Sequence, residues 1–131
     1  MIKRVSHLEV GKLGEKLAAK YLKANGFKIY ARNWQCRIGE IDLICIDDNE
    51  LVFVEVKTRL YSLTAERHLL DNVNRKKKLK LATLANIYLK QKRISDRKHR
   101  FDVLGVLINP EDFSTHSFKH LVGAIEQRSW F

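Results

Sequence analysis

The stretch Gly39 to Arg59, GEIDLICIDDNELVFVEVKTR, limits the fold more than any other part of the chain. Two apolar runs, 38–46 and 51–57, flank Asp47-Asp48-Asn49-Glu50. Asp and Asn suit tight turns, so the pattern predicts an antiparallel hairpin. A turn centred between Asp48 and Asn49 sets Asp42 opposite Glu55 and Glu40 opposite Lys57. Side chains alternate along a strand, which puts all four charges on one face. Farther along that face Ile44 and Ile46 meet Phe53 and Leu51. The other face carries Ile41, Leu43 and Cys45 against Val56, Val54 and Val52, and is wholly apolar. One face is therefore core. The second is core for half its length and then presents three acids and a lysine.

The flanking segments complete an α/β order. Leu8 to Asn25 reads as a helix stopped by Gly26. At 100° per residue Leu13, Leu17, Ala18, Tyr21 and Leu22 share one broad face, and Lys12, Lys16, Lys20 and Lys23 share the other. Glu15 falls between Leu22 and Ala19, at the margin of the apolar face. Residues 27–34 alternate like a strand, and a polar connection follows Arg59. Arg75 to Gln91 predicts a second helix with Leu81, Leu84, Ala85 and Tyr88 as its stripe and Asn74 as its cap. Residues 100–108 are a strongly apolar strand, and 118–125 is either a further strand or an irregular tail. The order is α-β-β-β-α-β, with an optional last β. A long helix between 51–57 and 100–108 suits a right-handed parallel crossover. The expectation is a mixed sheet with helices packed on it, in a single domain over 1–131.

Composition narrows the partners. There are 25 Lys and Arg against 15 Asp and Glu, a net +10 over 131 residues. That charge favours polyanions: DNA, RNA or an anionic membrane surface. The opening MIKRVSHLEV lacks the apolar core of a signal peptide, and no run of about 18 apolar residues exists to span a membrane. Cys36 and Cys45 are the only cysteines, and two cysteines without an export signal fit a reducing cytoplasm.

The four hairpin charges have a structural and a chemical reading. Glu40 and Lys57 could be a cross-strand ion pair, worth about a fraction of a kcal/mol if exposed. That does not account for Asp42 and Glu55, because like charges directly opposite repel and one lysine cannot neutralise three carboxylates. Two facing carboxylates at the edge of a core need a shared proton or a cation. Mg²⁺ is commonly held by one or two carboxylates together with substrate phosphate. A metal held by Asp42 and Glu55 would activate a water, and Lys57 could position that water and stabilise charge on phosphoryl oxygens. This is equipment for phosphodiester hydrolysis.

Arg75, Lys76, Lys77, Lys78 and Lys80 crowd the first turns of the second helix. Cations are unfavourable at that electropositive end. The run is either a solvated face or a phosphate grip, which Arg59 could join, and such a grip reads no base sequence. His116 and His120 have i, i+4 spacing without an acidic partner pattern, a poor case for zinc. Asp102, between apolar neighbours, reads as a buried acid paired with an arginine, or as a support for the site.

Asp42, twelve residues, then Glu55-Val56-Lys57 resembles the PD-(D/E)xK signature of restriction endonuclease-like nucleases. More closely, the chain resembles the YraN family, small bacterial proteins related to archaeal Holliday junction resolvases. The matching pieces are GKLGEKLAAKYLKANGFKIYARNW, GEIDLI, LVFVEVKTR, the basic helix start and RFDVLGV, from Gly11 to Leu107. The resemblance implies a restriction endonuclease-like three-layer α/β/α core with a mixed central sheet. It implies Asp42, Glu55 and the Val56 carbonyl as metal ligands and Lys57 as the catalytic lysine. Glu15 takes the place of a helix glutamate that contacts metal directly or through water, and Glu40 is an ancillary acid. Ile41 stands where the signature has proline, and 60–73 lacks the Gly and Pro expected before the basic helix.

Together these readings point to a Mg²⁺- or Mn²⁺-dependent endonuclease acting on DNA, favoured over RNA, with branched or junction DNA as the implied substrate. The alternative is a non-catalytic nucleic-acid-binding module on the same fold. A third is a basic interaction protein without nucleic acid. Junction-cutting relatives are dimers, which suggests a homodimer here.

Overall fold

The computed structural model describes residues 6–71 and 73–124. The expectation of no apolar leader falls partly on residues 1–5, and Ile125 of the last segment also lies outside the described residues. The elements are α1 (His7–Ala24), β1 (Lys28–Cys36), β2 (Gly39–Asp47), β3 (Glu50–Leu60), α2 (Leu63–His68), α3 (Arg75–Gln91), β4 (His99–Ile108) and β5 (Thr115–Leu121). The sheet runs β1-β2-β3-β4-β5. Only β3 and β4 pair in parallel, and the α2–α3 segment makes the crossover between them.

Helix α1 starts at Ser6, whose Oγ accepts from the Glu9 N–H at 3.2 Å. The Ser-x-x-Glu spacing is that of a capping box. Gly26 ends the helix with φ +88, a left-handed conformation that glycine adopts at little cost. Val10, Ala18, Ala19 and Leu22 of α1 pack on Leu43, Cys45, Val52, Val54, Leu104 and Val106. On the opposite face Leu81, Leu84, Ala85 and Tyr88 of α3 pack on Ile44, Leu51, Phe53 and Phe101. The result is a three-layer α/β/α arrangement around a mixed five-stranded sheet. Asn74 caps α3, its Oδ1 accepting from the Lys77 N–H at 3.0 Å. The Tyr88 ring stands edge-on to Trp34 and Phe53, fixing α3 over β1 and β3.

Three expectations change. The connection after Arg59 is not irregular throughout: β3 continues to Leu60, and Ser62 caps the short helix α2, its Oγ accepting from the Ala65 N–H. Leu69, just after α2, is buried over Gly105, where a Cβ would come 2.4 Å from the Leu69 Cδ2. The 118–125 segment is a strand that begins earlier, at Thr115, and stops at Leu121. Finally, Ile41 packs with the α3 cluster, whereas Leu43 packs with the α1 cluster. Strict alternation would have kept them together. The pleat changes face at Asp42, and β1 changes with it while their register holds: Asn33, between the pairs Arg32↔Leu43 and Trp34↔Ile41, has φ 49, and the register shift of this pair lies earlier, between Ile29 and Ala31.

The turn end of the hairpin is closed by ions. Arg100 donates to Asp47 at 2.9 Å, to Glu50 at 3.0 Å and to Asp102 at 3.0 Å. Asp102 is fully buried and is also reached by the His120 Nε2 at 2.9 Å and the Gly123 N–H at 2.9 Å. The buried acid is thus paired with an arginine, and His120 serves it. Asp102→Asn keeps the shape but strips Arg100 of its buried countercharge. Breaking such a pair costs about 3–5 kcal/mol. Urea unfolding should show a lower midpoint with an unchanged slope, and a wild-type midpoint would refute the structural role.

Candidate functional site

The predicted hairpin register holds from the turn to Leu43↔Val54, and the paired ladder ends there. Asp42 therefore does not sit in a regular pair with Glu55, nor Glu40 with Lys57. Instead the Asp42 Oδ2 accepts from the Val56 N–H at 2.8 Å. A side-chain carboxylate takes the place of the strand carbonyl, and β2 parts from β3 at this point. The gap holds the charges.

The slipped pleat turns Glu40 toward α1. Glu15, Glu40 and Asp42 offer carboxylate oxygens that all lie within 4.8 Å of one another, a group able to hold a metal ion. Glu15 reaches the cluster because Gly14 lets α1 touch β3. A Cβ on Gly14 would fall 1.8 Å from the Thr58 Oγ1, so only glycine permits this approach. Glu40 also accepts from the Gln35 Nε2 at 3.1 Å. Glu55 stands outside the tight trio, on the side toward α3, but is close enough to raise the pKa of Asp42. For Val56, expected as a carbonyl ligand, the contact shown is its N–H to Asp42.

Lys57 is 8% exposed, and its Nζ has no hydrogen-bond partner among the described residues. The Glu40–Lys57 ion pair offered by the sequence is therefore not formed. Burial lowers the Lys57 pKa, and Lys77 and Arg59 lower it further. One cleft of about 360 Å³ is lined by Glu40, Glu55, Lys57, Lys77, Lys78 and Lys80. A second, of about 630 Å³, is lined by Glu15, Glu55, Lys57, Arg59, Leu60 and Lys77. Glu55, Lys57 and Lys77 line both. Of the basic candidates, Lys77, Lys78, Lys80 and Arg59 thus border the acidic cluster. Arg75 and Lys76 are exposed on the same helix start and line neither cleft.

Burial pushes three carboxyls of the site, Asp42, Glu55 and Glu15, the same way. Burial first, then Glu55, raises Asp42 to about 7, against the pull of the Val56 N–H. Glu55 is raised by burial, with Lys77 and Lys57 opposing. Glu15 is raised by burial and Glu40, while a hydrogen bond from Asn33 opposes. Asn33 was not singled out in the sequence. Its signal was slight: asparagine is among the few residues that tolerate a left-handed conformation.

These shifts fix a sign. A carboxyl with a folded pKa of about 7, against an ordinary 3.8, contributes stability below about pH 4 that is lost as pH rises through 7. In a chelator, Asp42→Asn should therefore melt above wild type near pH 8, with the difference closing toward pH 4. Thermal melts across that range check it, and a variant less stable than wild type at the alkaline end would contradict the electrostatics.

Among the described residues no helix is long and apolar enough to cross a membrane. A solved structure of Pyrococcus furiosus SfsA in complex with Ca²⁺ overlaps 88% of this chain with a TM-score of 0.36 and 18% identity, and the chain spans 63% of that protein's length. A UPF0102 protein of Caldanaerobacter subterraneus subsp. tengcongensis is 38% identical over 126 residues, which cover 94% of this chain and 99% of the relative. One from Pelotomaculum thermopropionicum is 42% identical over 104 residues, 78% of this chain and 83% of the relative. The model described as "Uncharacterised protein family UPF0102" matches residues 14–106, from the glycine that seats α1 to near the end of β4. The chain belongs to the UPF0102 family, which is the YraN family its motifs resemble.

Proposed function

We propose that the chain is a divalent-metal-dependent nuclease of the restriction endonuclease-like class that hydrolyses phosphodiester bonds in DNA. The observation that carries this reading is Lys57: an amine 8% exposed, without a hydrogen-bond partner among the described residues, beside carboxyls whose burial calls for a proton or a cation. The donor set fits Mg²⁺ or Mn²⁺, both of which favour oxygen ligands. Asp42, Glu15 and Glu40 would hold the ion, with Glu55 completing the site on the α3 side. Bound there, a divalent ion supplies a polarised phosphate and a water of lowered pKa.

The chain's own groups do the rest. Lys57 has lost the solvent and the acid partner that would hold its proton, so it can orient the attacking water and take up its proton. Lys77 borders both clefts and can hold the non-bridging phosphate oxygens. The Val56 N–H fixes the Asp42 carboxylate by a bond to its Oδ2. Arg75, Lys76, Lys78, Lys80 and Arg59 offer a surface for flanking phosphates.

Labelled linear, nicked, flapped and four-way DNA should be cut with Mg²⁺ or Mn²⁺ and not in a chelator. Asp42→Ala should abolish cutting, and Lys57→Met should slow it by about 10²–10⁴-fold without loss of DNA binding. Equal cutting by wild type and Asp42→Ala would sink the proposal.

A binding module without catalysis is the second reading. The exposed basic start of α3, which has no acid in its first turn, supports it. It expects DNA retention that falls steeply with salt, no strand scission with any divalent ion, and no heat of metal binding in calorimetry.

A further inference from the structure

The second cleft runs from Glu15 and Glu55 past Arg59 to Leu60. The next residue is Tyr61, whose N–H donates to the Ile108 carbonyl at 2.7 Å. Its ring lies flat on His116 near the start of β5, with centroids 3.6 Å apart and planes 12° from parallel. Neither ring belongs to a core cluster. His116 is exposed, with its Nδ1 2.8 Å from the Ser117 Oγ. Among the described residues Tyr61 is the only ring stacked on it.

An aromatic pair kept for packing gains most when buried. This pair stands at the end of the sheet, half in water, where packing explains little. Tyr61 lies four residues beyond Lys57, about 13 Å at the rise of a strand. That is roughly four nucleotide steps of a stacked strand. The rim of each ring, with its O–H or N–H, could donate to a phosphate as lysine and arginine do, but the ring face has nothing to offer one. It offers a surface to a base, and only an unpaired base has a free face to give.

We infer that Tyr61 and His116 form a stacking platform for an unpaired nucleobase of the strand that leaves the cleft. The substrate class is then DNA with unpaired nucleotides close to the scissile phosphate, not continuous duplex. This rests on the nuclease reading and adds to it a ligand contact outside the acidic cluster.

Binding is measured in a chelator, so that no cleavage is needed. A single strand, a blunt duplex and a single strand carrying 2-aminopurine are compared over a range of salt. Tyr61→Ala and His116→Ala should each weaken single-strand binding by about tenfold and leave duplex binding within about twofold. Their salt dependence should match wild type, because no phosphate contact is lost. Tyr61→Phe and His116→Phe, which keep a ring, should bind like wild type. Wild type should quench 2-aminopurine on binding. If an alanine variant fails to fold, the phenylalanine variants and the wild-type quench decide. Equal losses on both DNAs, undiminished single-strand binding by both alanine variants, or no quench would overturn the platform and leave the nuclease reading standing. Wild type that retains neither DNA at low salt would overturn both.

Discussion

The bond from the Val56 N–H to the Asp42 carboxylate organises this molecule. Up to Leu43↔Val54 the hairpin is an ordinary ladder, and buried backbone groups there satisfy each other. One residue later a side chain accepts the bond that a carbonyl would have accepted. The strands can then part without leaving a buried N–H unpaired. Had the ladder continued, Asp42 and Glu55 would face each other across a regular pair and repel. The side-chain bond lets the chain keep acids in the core edge while the backbone stays satisfied.

The two ends of the same hairpin treat charge in opposite ways. At the turn, Arg100 joins Asp47, Glu50 and Asp102, and each buried acid has its countercharge. At the open end, Lys57 is buried without a hydrogen-bond partner, and three carboxyls are held above their ordinary pKa by desolvation. A fold selected for stability alone would close both ends alike. Strain concentrated at one end, with the other end tied down, is the pattern expected where a protein must receive charge from outside.

Much of this was legible in the sequence, for identifiable reasons. Period-2 runs and an Asp-Asp-Asn turn located the hairpin and its register, and the i, i+4 stripe of α3 with Asn74 before it located that helix. The parallel crossover followed from its length. The slip at Asp42 was not legible, because it depends on Asn33 in the neighbouring strand, and no local pattern announces a shared irregularity between two strands. Nor was α2, which has no buried residue and is followed by Leu69 and Leu70, both close to Gly105. The side-chain grouping changed accordingly. Face arithmetic put Glu40, Asp42, Glu55 and Lys57 together, and they remain neighbours, but the slip also brings Glu15 against Glu40 and Asp42 while Glu55 and Lys57 come close to Lys77.

The basic start of α3 then has two components. A helix N-terminus disfavours cations, and α3 has no acid in its first turn to offset them. Lys77 is excused by the fold: it lies beside Glu55 and lowers the pKa of that buried carboxyl. Lys80 lays its stem over Gly39, where a Cβ would come 3.1 Å from the Lys80 Cε. Arg75 and Lys76 have no such explanation, being exposed and without an ion pair among the described residues. Among the described residues no ion pair balances their charge, on the same helix turn that carries Lys77 to the acids. On the proposed reading, a polyanion laid along that turn would offset the unfavourable dipole and deliver a phosphate to the cluster in one movement, and the net +10 of the chain would then serve its acidic site.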